Sequence, residues 1–479
     1  MASFAANRFA VRGRLVHATE TPCVLEYVED GLVVVDGGAI VAVAKDTPSV
    51  EALLRDGDPG VVVELAATDF LVPGLVDCHV HAAQYAYTGT ATDKPLMEWL
   101  QHYTFPAERR CADVAYARRV YEKLVDRLLA NGTTCSAMYA TIHVAATKVL
   151  VDVCLEKGHR CVVGKVCMDR NGAEGYEETT AAALAGTEEV IEYVKARQPR
   201  AAPRTRVVQP CVVPRFIPTC TLPLLAGLGE LAKKHDCWVQ SHASETPDEM
   251  AFVESLHPGR SDSSIFDDAG LLTDKCVMAH CVYLDENELG LFAKRKCGVA
   301  CCPLSNAVFS LSEGTNAFPL KRAHARGVPV GLGTDIAGGY ATSMLSACRH
   351  AVVASRRSTR RGSPTSTTAT PSGRRRSAAR GPWASATRSA PSPSASSSTR
   401  ARSNARPAST TRSPSASPTA RPGSTSTSSS SSTSATTATS PPSSSRAASS
   451  RARSSLFLIL PLQLAAFLIA PQRMGAAPN

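Results

Sequence analysis

The chain has 479 residues, 44% of them hydrophobic, which is enough for two or three domains or one large barrel with additions. Its formal net charge of +10 is segregated: 18 arginines and no lysine or acid lie from Arg356 onward, so the first 355 residues hold all 42 acids and carry −8. All 16 cysteines also fall in those 355 residues, without a C-x-x-C pair. The start "MASFAANRFAVRGRL" has no long apolar core and does not read as a secretory signal, so with scattered cysteines a reducing, cytoplasmic setting is expected.

Residues 1–72 read as a partial β-sandwich segment. "RFAVRGRLVH" alternates loosely, "GLVVVDGGAIVAVAKD" predicts two strands around a Gly-Gly turn, and "VVVEL" predicts a third. From residue 73 to 355 apolar runs alternate with helical patterns. The runs are "LVPGLVDCHVH", "TTCSAMYAT", "RCVVGKVCMD", "RVVQPCVVPRF", "CWVQSHASE", "CVMAHC", "GVACCPLSN" and "VPVGLGTDIAGG". Among the intervening helices, "DVAYARRVYEKLVDRLLANG" ends on a plausible stop at Asn131-Gly132, and "SMLSACRHAVVAS" would be the last. Eight strands alternating with helices imply an α/β fold, a parallel (β/α)8 barrel of the TIM type. Residues 356–455 are Ser, Thr, Ala, Pro and Arg and read as a disordered low-complexity tail. Residues 456–479 form a short apolar terminus; its run of about fifteen residues, interrupted by Pro461, falls short of the ~20 needed to cross a bilayer, so no membrane association is expected.

Functional groups of such barrels gather where strands end. The first run ends in His79 and His81, two apart and so on one face of the strand. The fifth ends in His242, with Ser244 and Glu245 following, the sixth in His280, and the eighth in Asp335. Each residue alone has a bland structural explanation. Together, in the order H-x-H, H, H, D, they predict imidazoles and a carboxylate converging on one mouth, a nitrogen- and oxygen-rich set suited to zinc with a position left open for water.

"PGLVDCHVH", His242, His280 and "GTD" resemble the amidohydrolase superfamily, metal-dependent (β/α)8 hydrolases with a small flanking β-sandwich. More narrowly, "HAAQY", "DKPLMEWLQHYTFPAE", "YATIH", "GKVCMD", "VPRF", "QSHASE", "VMAHCVYL" and "GLGTDIAGGY" resemble the guanine deaminases, almost continuously from Leu71 to Ala354. The H-x-E with P-C-x-x-C signature of the nucleic-acid-editing zinc deaminases is absent.

The resemblance implies a purine as substrate and one zinc ion per chain, held by His79, His81, His242 and Asp335. Zinc would acidify a bound water. Asp335 would accept its proton, His280 would orient it, and Glu245 would protonate the ring and then the leaving amine. By resemblance, Gln84 and Arg215 would hold the polar edges of the purine and Phe216 would cover its face, with His81, His242, Glu245 and Asp335 also lining the substrate site. Arg215 pairing with an acid at the rim and Gln84 capping a loop remain open as structural alternatives. Lys165 does not match the bridging lysine of binuclear relatives, so a single metal is the simpler expectation. Two other functions stay open: a mononuclear amidohydrolase acting on a pterin, cytosine or triazine, and a catalytically impaired fold.

The last alternative arises because the family's chain returns to complete the sandwich, whereas here the basic tail begins abruptly inside a helix, like translation in a shifted frame. Sequencing the transcript across the codons for Val352 to Arg361 tests that reading. A sandwich without its second half is expected to expose unpaired edges. Family members commonly form homodimers, and the tail's arginines are expected to attract phosphate without sequence specificity.

Overall fold

The computed structural model of the protein describes residues 7–19, 24–198, 206–309, 317–361 and 459–460. Strands β1 (Arg8–Ala18), β2 (Leu25–Asp36), β3 (Ala39–Ala44), β4 (Val61–Glu64) and β5 (Phe70–Pro73) build a small sheet in which β1 pairs antiparallel with β2 and parallel with β4 and β5. The Gly37-Gly38 turn between β2 and β3 has both residues at positive φ, as a tight hairpin requires. A helix, Thr47–Asp56, interrupts the strands; the Asp46 side chain caps it by accepting from Ser49 N–H at 2.9 Å. Sequence reading had only strands here.

The larger sheet contains β6 (Leu75–His81), β7 (Thr133–Tyr139), β8 (Arg160–Gly164), β9 (Val166–Cys167), β10 (Val208–Pro214), β11 (Trp238–Ala243), β12 (Cys276–His280), β13 (Gly298–Cys301) and β14 (Val330–Leu332). Its order is β14-β13-β12-β11-β10-β8-β7-β6, all parallel, with two-residue β9 beside β10. The third apolar run is therefore broken at Lys165, which is fully buried and paired with Glu178 at 2.5 Å. The ends of the sheet meet: Asp335 N–H donates to His79 O at 2.8 Å and His81 N–H to Ile336 O at 3.1 Å. Gly333 makes this approach possible, since a Cβ there would lie 2.7 Å from the Cβ of His79. Helices Val114–Ala130, Val144–Lys157, Thr180–Arg197, Leu222–His235, Pro247–Leu256, Glu286–Arg295 and Leu320–Ala325 follow successive strands, giving the (β/α)8 barrel. The last of the series, Met344–Arg361, continues six residues beyond the point where the composition changes.

A final strand, β15 (Ile459–Leu460), pairs parallel with β5. The apolar terminus thus supplies β5 with a partner, and β3 and β15 are the outermost strands of the small sheet among the described residues. The rest of the predicted tail lies outside the described residues. No helix among the described residues is long and apolar enough to cross a membrane. The described cysteines are all free, and Cys301 and Cys302 are buried as packing residues.

Candidate metal centre

The polar residues that end the barrel strands converge. His79, His81, His242, His280, Glu245 and Asp335 are all at most 9% exposed. Their ligand atoms form two groups, each within 4.8 Å: His79, His81 and His242 in one, Glu245, His280 and Asp335 in the other. His79 Nε2 lies 3.0 Å from Asp335 Oδ1, and His81 Nε2 lies 3.6 Å from the same oxygen. Ser244, His280 and Asp335 sit at φ of 47°, 66° and 50°. Left-handed backbone costs a non-glycine residue on the order of 1 kcal/mol, and it concentrates where a side chain must be aimed.

A hydrogen bond to a backbone carbonyl fixes which ring nitrogen of His242 is free. His242 Nδ1 donates to Arg215 O at 2.7 Å, so its Nε2 carries the lone pair. That nitrogen faces His81 Nε2 at 3.1 Å, while His81 Nδ1 and His79 Nε2 are buried without a hydrogen-bond partner. With His242 Nε2 carrying a lone pair, a proton on His81 Nε2 or a cation between the two nitrogens accounts for so close an approach. Zinc–nitrogen bonds of ~2.0–2.1 Å in a tetrahedron place ligand atoms roughly 3.3 Å apart, close to the spacing here. Burial lowers the pKa of all four histidines, most strongly His81 and His242, so they are neutral and free to ligate. Burial raises Asp335, but the neighbouring imidazoles outweigh it and hold the carboxyl well below its usual range. His79, His81, His242 and Asp335 thus fit a divalent metal. Cys302 Sγ also approaches His79 and His280, but burial and the charge of Asp335 push its thiol well up, which disfavours the thiolate.

Beside this cluster lies a narrow cavity of ≈ 30 Å³ lined by Gln84, Arg215, Phe216, Leu96, Trp99, Leu100 and Phe309 together with His81, His242, His280, Glu245 and Asp335. That is room for about two waters. Leu96–Trp99 is a short helix continuing into a π-helical turn, Leu100–Thr104, and with Phe309 it roofs the cavity.

All the residues singled out in the sequence come together here, and both structural alternatives left open for Arg215 and Gln84 are realised within the cavity wall. Arg215 makes two bonds to Glu108, Nη1 to Oε2 at 2.7 Å and Nη2 to Oε1 at 3.1 Å. Gln84 donates to Glu108 Oε1 at 2.8 Å and accepts from Ala337 N–H at 3.0 Å. Tyr176 OH completes the set at 2.6 Å from Glu108 Oε2. Glu108 is fully buried and was assigned no role from sequence; the only hint was an acid closing the otherwise apolar "FPAE". Asn306 was missed too: its Oδ1 lies 2.9 Å from His280 Nδ1, leaving His280 Nε2 to face Glu245 at 3.5 Å and Asp335 at 3.8 Å.

A buried cluster of imidazoles and carboxylates at the strand ends of a parallel barrel is a candidate metal site. The Amidohydrolase family model matches residues 70–370, and the chain belongs to that family. Within it the chain is similar to the guanine deaminase of Mus musculus, 41% identical over 349 residues, covering 72% of this chain and 74% of the relative. Among solved structures it resembles a guanine deaminase from C. acetobutylicum with guanine in its active site (32% identity, TM-score 0.66, 74% of this chain and 80% of that one). It also resembles a zinc-bound adenosine deaminase from Xanthomonas campestris (26% identity, TM-score 0.62, 73% of this chain and 74% of that one).

Proposed function

We propose that the chain hydrolyses guanine to xanthine and ammonia, using one zinc ion held by His79, His81, His242 and Asp335. The observation that carries this reading is the pair of facing imidazole nitrogens at 3.1 Å beside an ionised Asp335, set against a wall that presents Arg215, Gln84 and Phe216. Zinc, when bound, supplies a water acidified toward neutrality. The reaction exchanges the C2–NH2 bond of the purine for a C2–oxygen bond, and the chain's own residues handle position and protons.

Arg215 has spent two N–H groups on Glu108 and keeps others for the purine oxygen, where a fixed cation stabilises negative charge as it develops. Gln84 is held at both ends of its amide and presents a rigid polar edge. Phe216, 4% exposed, covers the ring face. Burial and the charge of Asp335 raise the Glu245 carboxyl well above the usual range, which favours its protonated form. It gives that proton to a ring nitrogen and later relays one to the departing amine. Asp335, held ionised, accepts a proton, and His280, fixed by Asn306, orients the attacking water through Nε2.

The test is turnover by the purified, zinc-loaded chain against guanine, cytosine, a pterin and an amino-triazine, with zinc content measured on the same sample. Xanthine and ammonia in equal amounts from guanine alone support the reading. Turnover of another heterocycle transfers the chain to a different branch of the family, and zinc without any turnover favours an impaired fold.

A further inference from the structure

Beneath the loop that carries Glu245 lies a second pair of carboxyl groups that the reaction above does not use. Glu249 stands in the first turn of the helix Pro247–Leu256, and Asp262 opens the helix Asp262–Asp268. They are 1% and 3% exposed. Each spends one oxygen on the backbone of that loop. Glu249 Oε2 accepts from Glu245 N–H at 3.2 Å, and Asp262 Oδ2 accepts from Ser244 N–H at 2.6 Å and from its hydroxyl at 3.4 Å. The remaining oxygens, Glu249 Oε1 and Asp262 Oδ1, are buried with no donor.

The two carboxyl groups lie close enough to influence each other's protonation, although no hydrogen bond joins them. Neither belongs to an ion pair among the described residues. The titratable groups that face them are Glu245 from the loop after β11, Glu288 from the helix Glu286–Arg295 and the Cys281 thiol after β12, every one an acid. Two anions cannot rest in contact in such surroundings, whereas one proton placed between the two orphaned oxygens satisfies both.

We propose that Glu249 and Asp262 share a single proton and, as an acid–carboxylate pair, act as positioning residues that hold Ser244 and Glu245 for proton transfer. The functional half of this proposal rests on the reading of Glu245 as the proton carrier. Ser244 needs such a hold, because its φ of 47° is a conformation a serine leaves readily when its N–H loses its acceptor. Burial pushes Glu249 well above the carboxylate range and Asp262 up to about 6, both toward keeping a proton. At alkaline pH the proton leaves, two anions face each other, and the loop loosens.

The experiment compares Glu249→Gln with Glu249→Leu in the zinc-loaded full chain. The glutamine mimics the protonated acid: its oxygen still accepts from Glu245 N–H and its amide donates to Asp262. The leucine keeps volume and removes both bonds. Glu249→Leu should lower kcat by at least ~10-fold with KM and zinc content near wild type, Glu249→Gln should restore most of it, and the alkaline fall of kcat should begin at higher pH in the glutamine variant than in wild type. A second readout needs no turnover. The folded chain keeps a proton that the unfolded chain releases near pH ~4.3, so wild type loses stability as pH rises through the window up to the raised folded value. Glu249→Gln lacks that loss, so its Tm advantage over wild type should grow from pH 5 to 9. A constant difference in Tm, or a glutamine variant as impaired as the leucine, overturns the pair. A growing difference in a wild type that ignores guanine keeps the pair and sinks the reading of Glu245.

Discussion

Glu108 shows how a single side chain outside the metal cluster governs the cavity wall. It accepts from Arg215, Gln84 and Tyr176 while fully buried, and the Arg215 guanidinium also stacks 4.9 Å over the Phe105 ring. Removing one partner of a buried ion pair strands the other, at a cost of roughly 3–5 kcal/mol. Glu108→Ala should therefore lower the urea midpoint by a corresponding amount and raise KM for the purine, because Arg215 and Gln84 lose their common anchor. Unchanged stability would mean that the pair is dispensable. His159 supplies a second test of burial. It is fully buried, its Nε2 is 3.0 Å from Ser136 Oγ, and desolvation lowers its pKa to about 4. Its folded value lies below the ~6.5 of an exposed imidazole, so its stabilising share is complete above pH ~6.5 and lost as pH falls toward 4, worth roughly 3 kcal/mol at most. Urea unfolding at pH 7 and pH 4.5 should show a smaller acid loss for His159→Gln than for wild type. The candidate metal-binding residues were legible in the sequence because each follows an apolar run. Glu108 and Asn306 were not, since both act through contacts between elements far apart in the chain, with Glu108 meeting Arg215 across 107 positions.

At the scale of elements, the barrel strands were readable because a parallel sheet covered on both faces demands continuous apolar runs, each stopped by a polar residue at the mouth. The helix Thr47–Asp56 had a signal that went unused, Asp46 followed by Thr47-Pro48, a cap with proline in the first turn. The roof over the cavity had none. Leu96–Thr104 is too short for periodicity to define, and its π-helical turn is set by what it packs on. Trp99 is its anchor, 3% exposed, with its ring 5.2 Å from Phe309 and 5.6 Å from Tyr87, and its indole N–H donating to Thr90 O at 3.2 Å. On the proposed reading a purine needs more room than the ≈ 30 Å³ bordered by Leu96, Trp99, Leu100 and Phe309, so the packing of this roof should govern substrate entry. Trp99→Ala loosens that roof without touching the ligands. It should raise KM by ~10-fold or more while zinc content stays at wild-type level, and it should weaken kcat less than KM. A zinc-depleted variant would show instead that the roof holds the metal cluster together.

For the molecule as a whole, the question is what the residues beyond Arg361 contribute. Every side chain of the candidate metal centre and its wall precedes the helix Met344–Arg361, and the barrel closes through Asp335 and Ile336. The described contribution from beyond that helix is β15, which adds Ile459 and Leu460 to the edge of β5 opposite Val72 and Pro73. A fragment of residues 1–361 should therefore bind zinc in the same ratio as the full chain and turn over guanine with kcat/KM within about threefold, since no group that touches substrate is lost. It should also uncover the β5 edge near Phe70, an apolar residue already 44% exposed, and associate at concentrations where the full chain does not. Charge moves in the same direction. The fragment sheds 14 of the 18 arginines that follow Ser355 and becomes net acidic, so the full chain should bind a polyanion such as heparin in low salt and the fragment should not. Light scattering, zinc analysis and heparin retention on the two proteins side by side separate the three effects. If the fragment loses its zinc, the terminal residues brace the barrel mouth, and the metal site is less independent of the small sheet than its hydrogen bonds imply.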